Sequence, residues 1–543
     1  MINVKVINHV KPLLSGLSIS VILHGMKIDR KIPATMATQH PDHANVPYWK
    51  ESILSSAIGG SGGGGMAFVS AQEEVEECRS AFQDMACQEF MWDWEGKYVD
   101  EAVVDKLFSN YYDFFKKVRL GRDVFLTFRV PNIWEEKGYR LARAFIGILT
   151  FEDLANDLGF GYPPVFEVIL PMTDEAKKLI YLQKTFSQVA ALKRKTFGEK
   201  ESRLTYLRVI PLIEGVSELT ESGRILRQYL KQHHREFGRS VDYLRPFVAR
   251  SDPSLNDGLV PATVAAKLAL SEYYRFQEET GIPVFPIIGV GGLPFRGGLS
   301  PDRLKLFLEE YRGVRTVTIQ SAFRYDFPRE QVKKSIEILN RSLREGKATL
   351  FSPEEIRQGI KLNAIFSRFY QDSVESLAGM INEFARFIPQ RRERMLHFGL
   401  FGYARGLRGI RLPRAIGFTA ALYSFGVPPE LIGTGRGIAE ARKKGLLDIL
   451  EGFYLHFRED MIEAGSFLNK ENLAFLAKRD SAWGEIMRDI EYIEEYLQEE
   501  LGPRKPDHFL HRNLVSSTYL LWKEGRDCTG HILEAAKIRR GLG

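Results

Sequence analysis

Short apolar runs alternate with longer amphipathic stretches from Met66 to Gln320. The runs have the length of strands and are rich in β-branched and aromatic residues, whereas the stretches between them repeat apolar residues every three or four positions. The first pattern is typical of buried strands, and the second of helices that bury one face. Eight runs are predicted as strands: Met66–Ser70, Glu89–Trp94, Val124–Val130, Val165–Leu170, Leu207–Ile213, Leu244–Ala249, Val284–Ile288 and Val314–Gln320.

Eight strands separated by helices predict an α/β fold, a (β/α)₈ TIM-type barrel. Beyond Phe327 the strand pattern ends, and helical periodicity continues almost to the C-terminus. We therefore predict a large α-helical C-terminal region that elaborates the barrel. The predicted division is an N-terminal extension outside the fold (1–25), a catalytic barrel (26–328) and a helical region packed on it (329–543).

Composition narrows the class of protein only modestly. The 543 residues are 44% hydrophobic and 27% charged, as in ordinary globular proteins. A net charge of +6 suits a small anionic substrate as well as a nucleic acid, and no basic block or zinc-finger spacing favours the latter. Three scattered cysteines indicate a reducing, cytoplasmic compartment. No apolar run reaches the ~20 residues of a membrane-spanning helix, so we expect no membrane partner.

The stretch from Pro283 to Gly298, PVFPIIGVGGLPFRGG, holds the first candidate site. An apolar strand ends there in a glycine-rich turn that carries Arg296, Gly297 and Gly298. A guanidinium and backbone N–H groups without side chains can converge on one small anion. The alternative is a tight strand-to-helix connection with a solvated arginine.

Acids and bases follow other predicted strands in the same way. The reacting groups of such barrels come from the C-terminal ends of their strands. Glu214 and Asp252 follow neighbouring strands and can supply hard oxygen ligands to Mg²⁺ or Mn²⁺, although each could instead cap a turn or a helix. His40 precedes Pro41, which holds its backbone extended; taken alone, it could be a structural histidine. The other candidates are Asp93, Glu95, Arg129, Arg250 and Gln320 to Arg324.

Four motifs together resemble the phosphoenolpyruvate carboxylase family, in its short archaeal-type form. TMATQHPDH resembles the histidine motif of the family, and VIPLIEG with ARSDPSLNDG resembles its pair of metal-binding acids. GVGGLPFRGGL is similar to its Gly-Arg-Gly-Gly loop, and LPRAIGFTAALYSFGVPPELIG to its later arginine helix. The resemblance extends from Lys27 to the C-terminus.

The resemblance implies carboxylation of phosphoenolpyruvate by bicarbonate to oxaloacetate and phosphate. It implies that His40 is the base acting on carboxyphosphate, that Glu214 and Asp252 bind Mg²⁺, that Arg296 stabilises charge, that Arg414 holds phosphate and that the chain is a homotetramer. The longer branch of the family has His-Gly-Arg-Gly-Gly where this chain has residues 288–292, IGVGG. Either Arg129, Arg250 or Arg324 replaces the absent arginine, or phosphate is held by fewer charges.

Two alternative functions remain open at this point. Another barrel enzyme acting on phosphoenolpyruvate or pyruvate, a lyase or phosphotransferase, would explain the acids and Arg296 but gives His40 no role. A basic scaffold that binds nucleic acid or phosphoprotein would explain only the charge and the arginines between Arg405 and Arg414.

Overall fold

The computed structural model describes residues 18–23, 26–50, 67–95, 99–135, 137–197, 203–393, 406–407 and 409–543. Of the predicted N-terminal extension, it describes β1 (Ser18–Leu23), which pairs antiparallel with β2 (Met26–Lys31). Residues 1–17, 24 and 25 lie outside the described residues, and the prediction that 1–25 is an extension outside the fold stays a prediction. Arg405 and Arg408 also lie outside them.

Eight parallel strands form a closed barrel, which confirms the predicted fold class. Each strand pairs with the next one along the chain, and the last closes on the first through Val317 and Thr35. All are fully or largely buried, because helices cover the outside of the barrel. The strands are β3 (Thr35–Thr38), β4 (Glu89–Asp93), β5 (Phe125–Arg129), β6 (Glu167–Leu170), β7 (Arg208–Ile213), β8 (Phe247–Ala249), β9 (Ile287–Gly289) and β10 (Thr316–Ile319).

The predicted first strand, Met66–Ser70, is wrong. Met66 lies outside the described residues, and Val69 makes only an isolated bridge to Arg392. The barrel instead begins at Thr35–Thr38, a stretch whose sequence reads as a polar loop. Its four residues are buried, since they lie between two neighbouring strands. Pairing on both sides thus overrides a weak local pattern.

Helices join the barrel strands and lie around them. Helix α6 follows β7 directly, and α8 follows β8, so both begin at the C-terminal end of the barrel. The helices of this part of the chain are α1 (Glu74–Gln83), α2 (Val103–Asn110), α3 (Tyr112–Lys117), α4 (Tyr139–Asp157), α5 (Ala176–Phe197), α6 (Val216–Thr220), α7 (Ser222–Phe237), α8 (Ser251–Asp257), α9 (Leu259–Thr280), α10 (Leu304–Glu310) and α11 (Ser321–Tyr325).

From Arg329 onward the described chain is helical apart from two short paired strands, β11 (Gly406–Leu407) and β12 (Ile410–Arg411). A capping box at Ser352 and Glu355 starts the longest helix, α13. The helices are α12 (Arg329–Ser342), α13 (Pro353–Phe384), α14 (Ala415–Phe425), α15 (Thr434–Lys443), α16 (Leu447–Phe453), α17 (Phe457–Gly465), α18 (Lys470–Ala477), α19 (Ser481–Leu497), α20 (Pro506–Lys523) and α21 (Thr529–Ile538).

Two large apolar cores correspond to the two parts of the chain. One joins the barrel to its surrounding helices, and the other joins the C-terminal helices to α8 and α9. No helix of the described residues has the length and hydropathy required to span a membrane.

A buried ion-pair network fills the barrel at the N-terminal ends of its strands. The Arg245 side chain is 0% exposed and binds the carboxylates of Glu89 at 2.6 Å and Glu167 at 2.8 Å. Arg30 binds Glu167 at 2.7 Å and covers the Phe125 ring. Above this layer lies an apolar one: Met36, Met91, Ile169, Ile210, Leu212, Phe247, Ala249 and Ile287.

A buried histidine fixes the loop that follows β3. His43 Nδ1 lies 2.9 Å from Ser321 Oγ, and Nε2 lies 2.8 Å from the carbonyl oxygen of Ala67. Burial lowers the pKa of His43 to about 3. The folded protein therefore holds this imidazole neutral throughout the physiological range.

We predict that Arg245→Met lowers the free energy of unfolding by about 3–5 kcal/mol, because it leaves two buried carboxylates short of a partner. Urea denaturation measures the change. Arg224→Met, which removes an exposed ion pair with Glu221, is the control and should have little effect. Equal effects of the two substitutions would contradict a structural role for the buried network.

We predict that His43 makes folding sensitive to acid. Between pH 6.5 and pH 3 only the unfolded chain protonates this residue, so stability is lost as the pH falls through that window. His43→Gln cannot take up this proton. Between pH 7 and pH 5 the native chain should lose about 2 kcal/mol more than His43→Gln, measured by urea denaturation. Parallel losses would show that His43 does not titrate in this way.

Candidate active site

The candidate residues follow the barrel strands at one end. His40 comes two residues after β3, Arg129 ends β5, Glu214 follows β7, and Arg250 follows β8. Arg296 lies in a short 3₁₀ turn, Pro294–Arg296, after β9. Because the strands are parallel, all these residues are at the C-terminal end of the barrel.

His40 is half-buried on the extended segment after β3. Its Nδ1 lies 2.9 Å from Thr38 Oγ1, and this contact orients the ring. The carbonyl of His40 accepts a hydrogen bond from Ser321 Oγ, at the start of α11. The loop after the first barrel strand and the loop after the last one therefore both fix the position of this histidine.

Asp42 joins this segment to Arg296. The Asp42 carboxylate accepts hydrogen bonds from Ser321 Oγ and the Ala322 N–H, both at 2.8 Å. Its second oxygen lies 3.0 Å from Arg296 Nη1 in an ion pair with both side chains almost fully buried. Asp42 is not among the residues predicted from the sequence, although its place two residues after His40 in the HPDH motif is a usable signal.

Three further groups fix the Arg296 guanidinium. Its Nε donates to Ser251 Oγ at 3.1 Å, Nη2 to Gln320 Oε1 at 2.5 Å, and Nη1 also to the carbonyl of Gly543. Together with Asp42, residues that follow three different barrel strands (β3, β8 and β10) thus position one side chain. The burial of residues 541–543 against this site was not predictable from any pattern in the sequence.

The glycines after Arg296 permit the tight turn. Gly297 has φ +111°, and a Cβ there would lie 2.4 Å from Val290 Cγ1; Gly298 has φ +72°. A side chain would therefore be strained at both positions. The Gly297 N–H donates to the Pro294 carbonyl and the Gly298 N–H to the Leu293 carbonyl, so the turn itself uses both groups. Whether they bind substrate stays a prediction.

Arg129 lies between acids. Its Nε and Nη2 bind the two oxygens of Asp93, both at 2.7 Å, and its Nη1 lies 2.9 Å from Glu95 Oε2. Burial alone would lower the pKa of Arg129, but Asp93, Glu95 and Glu214 hold it well above its ordinary value. Arg414 approaches the same Glu95 oxygen at 3.8 Å and is 29% exposed.

The two predicted metal ligands follow neighbouring strands. Glu214 comes directly after β7 and Asp252 is in the first turn of α8, after β8. The Met172 N–H donates to Glu214 Oε2 at 2.7 Å from a backbone with φ +51°, which is unusual for a residue other than glycine. Among the side chains that the structure describes, no group of three or more His, Cys, Asp or Glu residues forms a metal site.

Arg250 and Arg324 bind to residues of the neighbouring strands, helices and loops. Arg250 donates to the hydroxyls of Tyr311, Ser254 and Thr263, at 2.9, 3.2 and 2.8 Å. Arg324 Nη2 donates to the Thr38 carbonyl at 2.6 Å and binds Glu77 at 2.8 Å. Both side chains are almost fully buried. Their predicted contact with substrate stays a prediction.

Comparisons with known proteins agree with the motifs. A family model described as phosphoenolpyruvate carboxylase matches residues 32–543. The phosphoenolpyruvate carboxylase of Oenococcus oeni is 39% identical over 490 residues, 90% of this chain and 94% of that protein. Those of Metallosphaera sedula and Pyrococcus abyssi are 38% and 37% identical, over 95% and 86% of this chain and 100% and 94% of their own lengths.

The matched region contains the histidine segment, both acids and the arginine turn. The resemblance drawn from the four motifs is thereby confirmed, and the chain belongs to the phosphoenolpyruvate carboxylase family.

Proposed function

We propose that this chain carboxylates phosphoenolpyruvate with bicarbonate, giving oxaloacetate and phosphate. The observation that carries the proposal is the buried Asp42–Arg296 ion pair, which joins the histidine segment to the arginine turn at the C-terminal end of the barrel. Family membership supplies the reaction class. The direct test supplies phosphoenolpyruvate, bicarbonate and Mg²⁺ and measures oxaloacetate with malate dehydrogenase; no bicarbonate-dependent signal would reject the proposal.

Mg²⁺, or Mn²⁺ in its place, is proposed at Glu214 and Asp252. Two carboxylates on neighbouring loops suit a hard cation that keeps several waters for substrate. The N–H of Met172 already binds one oxygen of Glu214, which orients the carboxylate. When bound, the cation would neutralise negative charge on enolate and phosphate oxygens.

The chemistry divides into two steps. A bicarbonate oxygen attacks phosphorus and the enolate of pyruvate leaves, giving carboxyphosphate. His40 then takes the proton of carboxyphosphate, which splits into CO₂ and phosphate, and the enolate carbon attacks CO₂. The contact of Thr38 Oγ1 with Nδ1 of His40, at 2.9 Å, orients the imidazole that is proposed to take the proton. Arg296 supplies fixed positive charge, which needs no reorganisation as the enolate forms.

The remaining arginines are proposed to bind substrate anions. The partial exposure of Arg414 supports a role in holding phosphate. Arg129 belongs to the same group of charges, because it also binds Glu95. The partners of Arg250 and Arg324 indicate that these two side chains also hold neighbouring loops in place. The N–H groups of Gly297 and Gly298 could serve only by giving up their contacts within the turn. A homotetramer, as the family resemblance implies, and a cytoplasmic location, as the three scattered cysteines indicate, complete the proposal.

We predict that His40→Asn separates the two steps. It should retain slow bicarbonate-dependent conversion of phosphoenolpyruvate to pyruvate and phosphate, while oxaloacetate formation falls by roughly 10²-fold or more, as for loss of a positioned general base. Arg296→Ala should lower both outputs, since its charge is needed in the first step. Phosphate and oxaloacetate are measured in parallel. If His40→Asn lowers both equally, His40 is not the base of the second step.

We predict that Glu214→Ala and Asp252→Ala abolish binding of Mn²⁺, because each removes one of two anionic ligands. Electron paramagnetic resonance measures free Mn²⁺ and does not depend on turnover. Glu221→Ala, in the exposed ion pair with Arg224, is the control and should bind Mn²⁺ normally. Retained binding in both site variants would move the search to Asp93 and Glu95.

A further inference from the structure

A buried carboxyl group outside the proposed chemistry contacts the arginine turn. Glu430 lies in a 3₁₀ turn of the C-terminal helical region, Pro429–Leu431, and is 0% exposed. Its Oε1 accepts hydrogen bonds from the Phe295 N–H and from the Tyr423 hydroxyl, both at 2.9 Å. One oxygen atom therefore joins two separate elements.

The first element is the turn that carries Arg296. The N–H groups at the start of a helical turn have no partner inside it, so each needs an acceptor from elsewhere. The N–H of Phe295, the residue before Arg296, has Glu430 as its acceptor. The carboxyl thus fixes the backbone one residue away from the guanidinium.

The second element is α14, which begins directly after Arg414. Tyr423 lies on this helix, and the Phe418 ring of the same helix stacks on Phe295 with centroids 5.9 Å apart. The polar contact at Glu430 and this ring contact together hold α14 against the arginine turn. The two candidate anion-binding arginines, Arg296 and Arg414, are therefore set relative to each other through Glu430.

Burying this carboxyl is costly. Its Oε2 has no hydrogen-bond partner among the described residues, and burial raises the pKa of Glu430 to about 7. The acidic Asp460 also disfavours its ionised form, while Arg539 lies over the Tyr423 ring. An apolar residue would avoid this cost but would leave the Phe295 N–H unpaired.

We infer that Glu430 is a positioning residue, which sets Arg296 and α14 for catalysis by accepting hydrogen bonds from Phe295 and Tyr423. The inference rests on the proposed function for its effect on turnover. The hydrogen bond from the Phe295 N–H to Glu430 does not depend on the proposed function. The positioning contact and the proposed function can therefore be tested separately.

Three variants test the inference. Glu430→Gln keeps an acceptor oxygen, Glu430→Ala removes it, and Tyr423→Phe removes only the second donor. Asp489→Asn is the matched control: Asp489 is a buried carboxyl of the same helical region that accepts the N–H groups of Gly433 and Arg436. Thermal melting shows which variants are folded at the assay temperature.

In Glu430→Ala, kcat should fall between tenfold and a hundredfold, the order of magnitude for a misplaced catalytic group, while KM for phosphoenolpyruvate changes less. Glu430→Gln and Tyr423→Phe should stay within about threefold of the native kcat, a change no larger than the net contribution of one hydrogen bond. Unchanged kcat in folded Glu430→Ala, or an equal fall in Glu430→Gln, would overturn the inference.

Amide hydrogen exchange supplies a measurement independent of turnover. The amide of Phe295 should exchange faster in Glu430→Ala than in the native chain, but not in Glu430→Gln or Asp489→Asn. Native exchange in Glu430→Ala would refute the contact itself. If the amide of Phe295 exchanges faster in Glu430→Ala but the native chain forms no oxaloacetate, the proposed function is refuted and the positioning contact stands.

Discussion

The buried ion pair of Asp42 and Arg296 links the two loops on which the proposed chemistry depends. One partner lies beside His40 after the first barrel strand, and the other lies after the seventh. Removing either would leave a charge without its partner in a water-poor site, which costs far more than the pair contributes when intact. Ser321 and Gln320, after the last strand, complete the arrangement. Closure of the barrel is thus required before the site can exist.

The buried arginines divide by the partners they have. Arg129 is bound by two side-chain carboxylates, Arg296 by one side-chain carboxylate, and Arg250 by hydroxyls. A guanidinium with fewer anionic neighbours keeps more of its positive potential at its position. Two carboxylates compensate more of the positive potential at Arg129 than Asp42 compensates at Arg296. This difference supports assigning the stabilisation of the enolate to Arg296 rather than to Arg129.

The sequence predicted those strands and site residues that have a local pattern of apolar and polar residues, and not those that depend on distant contacts. Seven barrel strands were predictable because each is a short, largely apolar run of strand length. Thr35–Thr38 was not, since TMAT has a single large apolar residue and its burial comes from pairing on both sides. Glu214, Asp252 and Arg296 were found through their places after strands. The contacts of Asp42 with Arg296 and of Glu430 with the Phe295 N–H were not predictable, because each joins residues more than 100 positions apart.

The two ends of the barrel are both charged, and an apolar layer separates them. Arg245 with its two glutamates fills one end, while Asp42 and Arg296 lie at the other, beyond the side chains of Met36, Met91 and Ile169. The apolar layer is a medium of low polarity beneath the site. Fixed charges above such a layer act on developing charge more strongly than they would in water. The barrel interior therefore contributes to the proposed chemistry by keeping water out from below as well as by holding the strands in place.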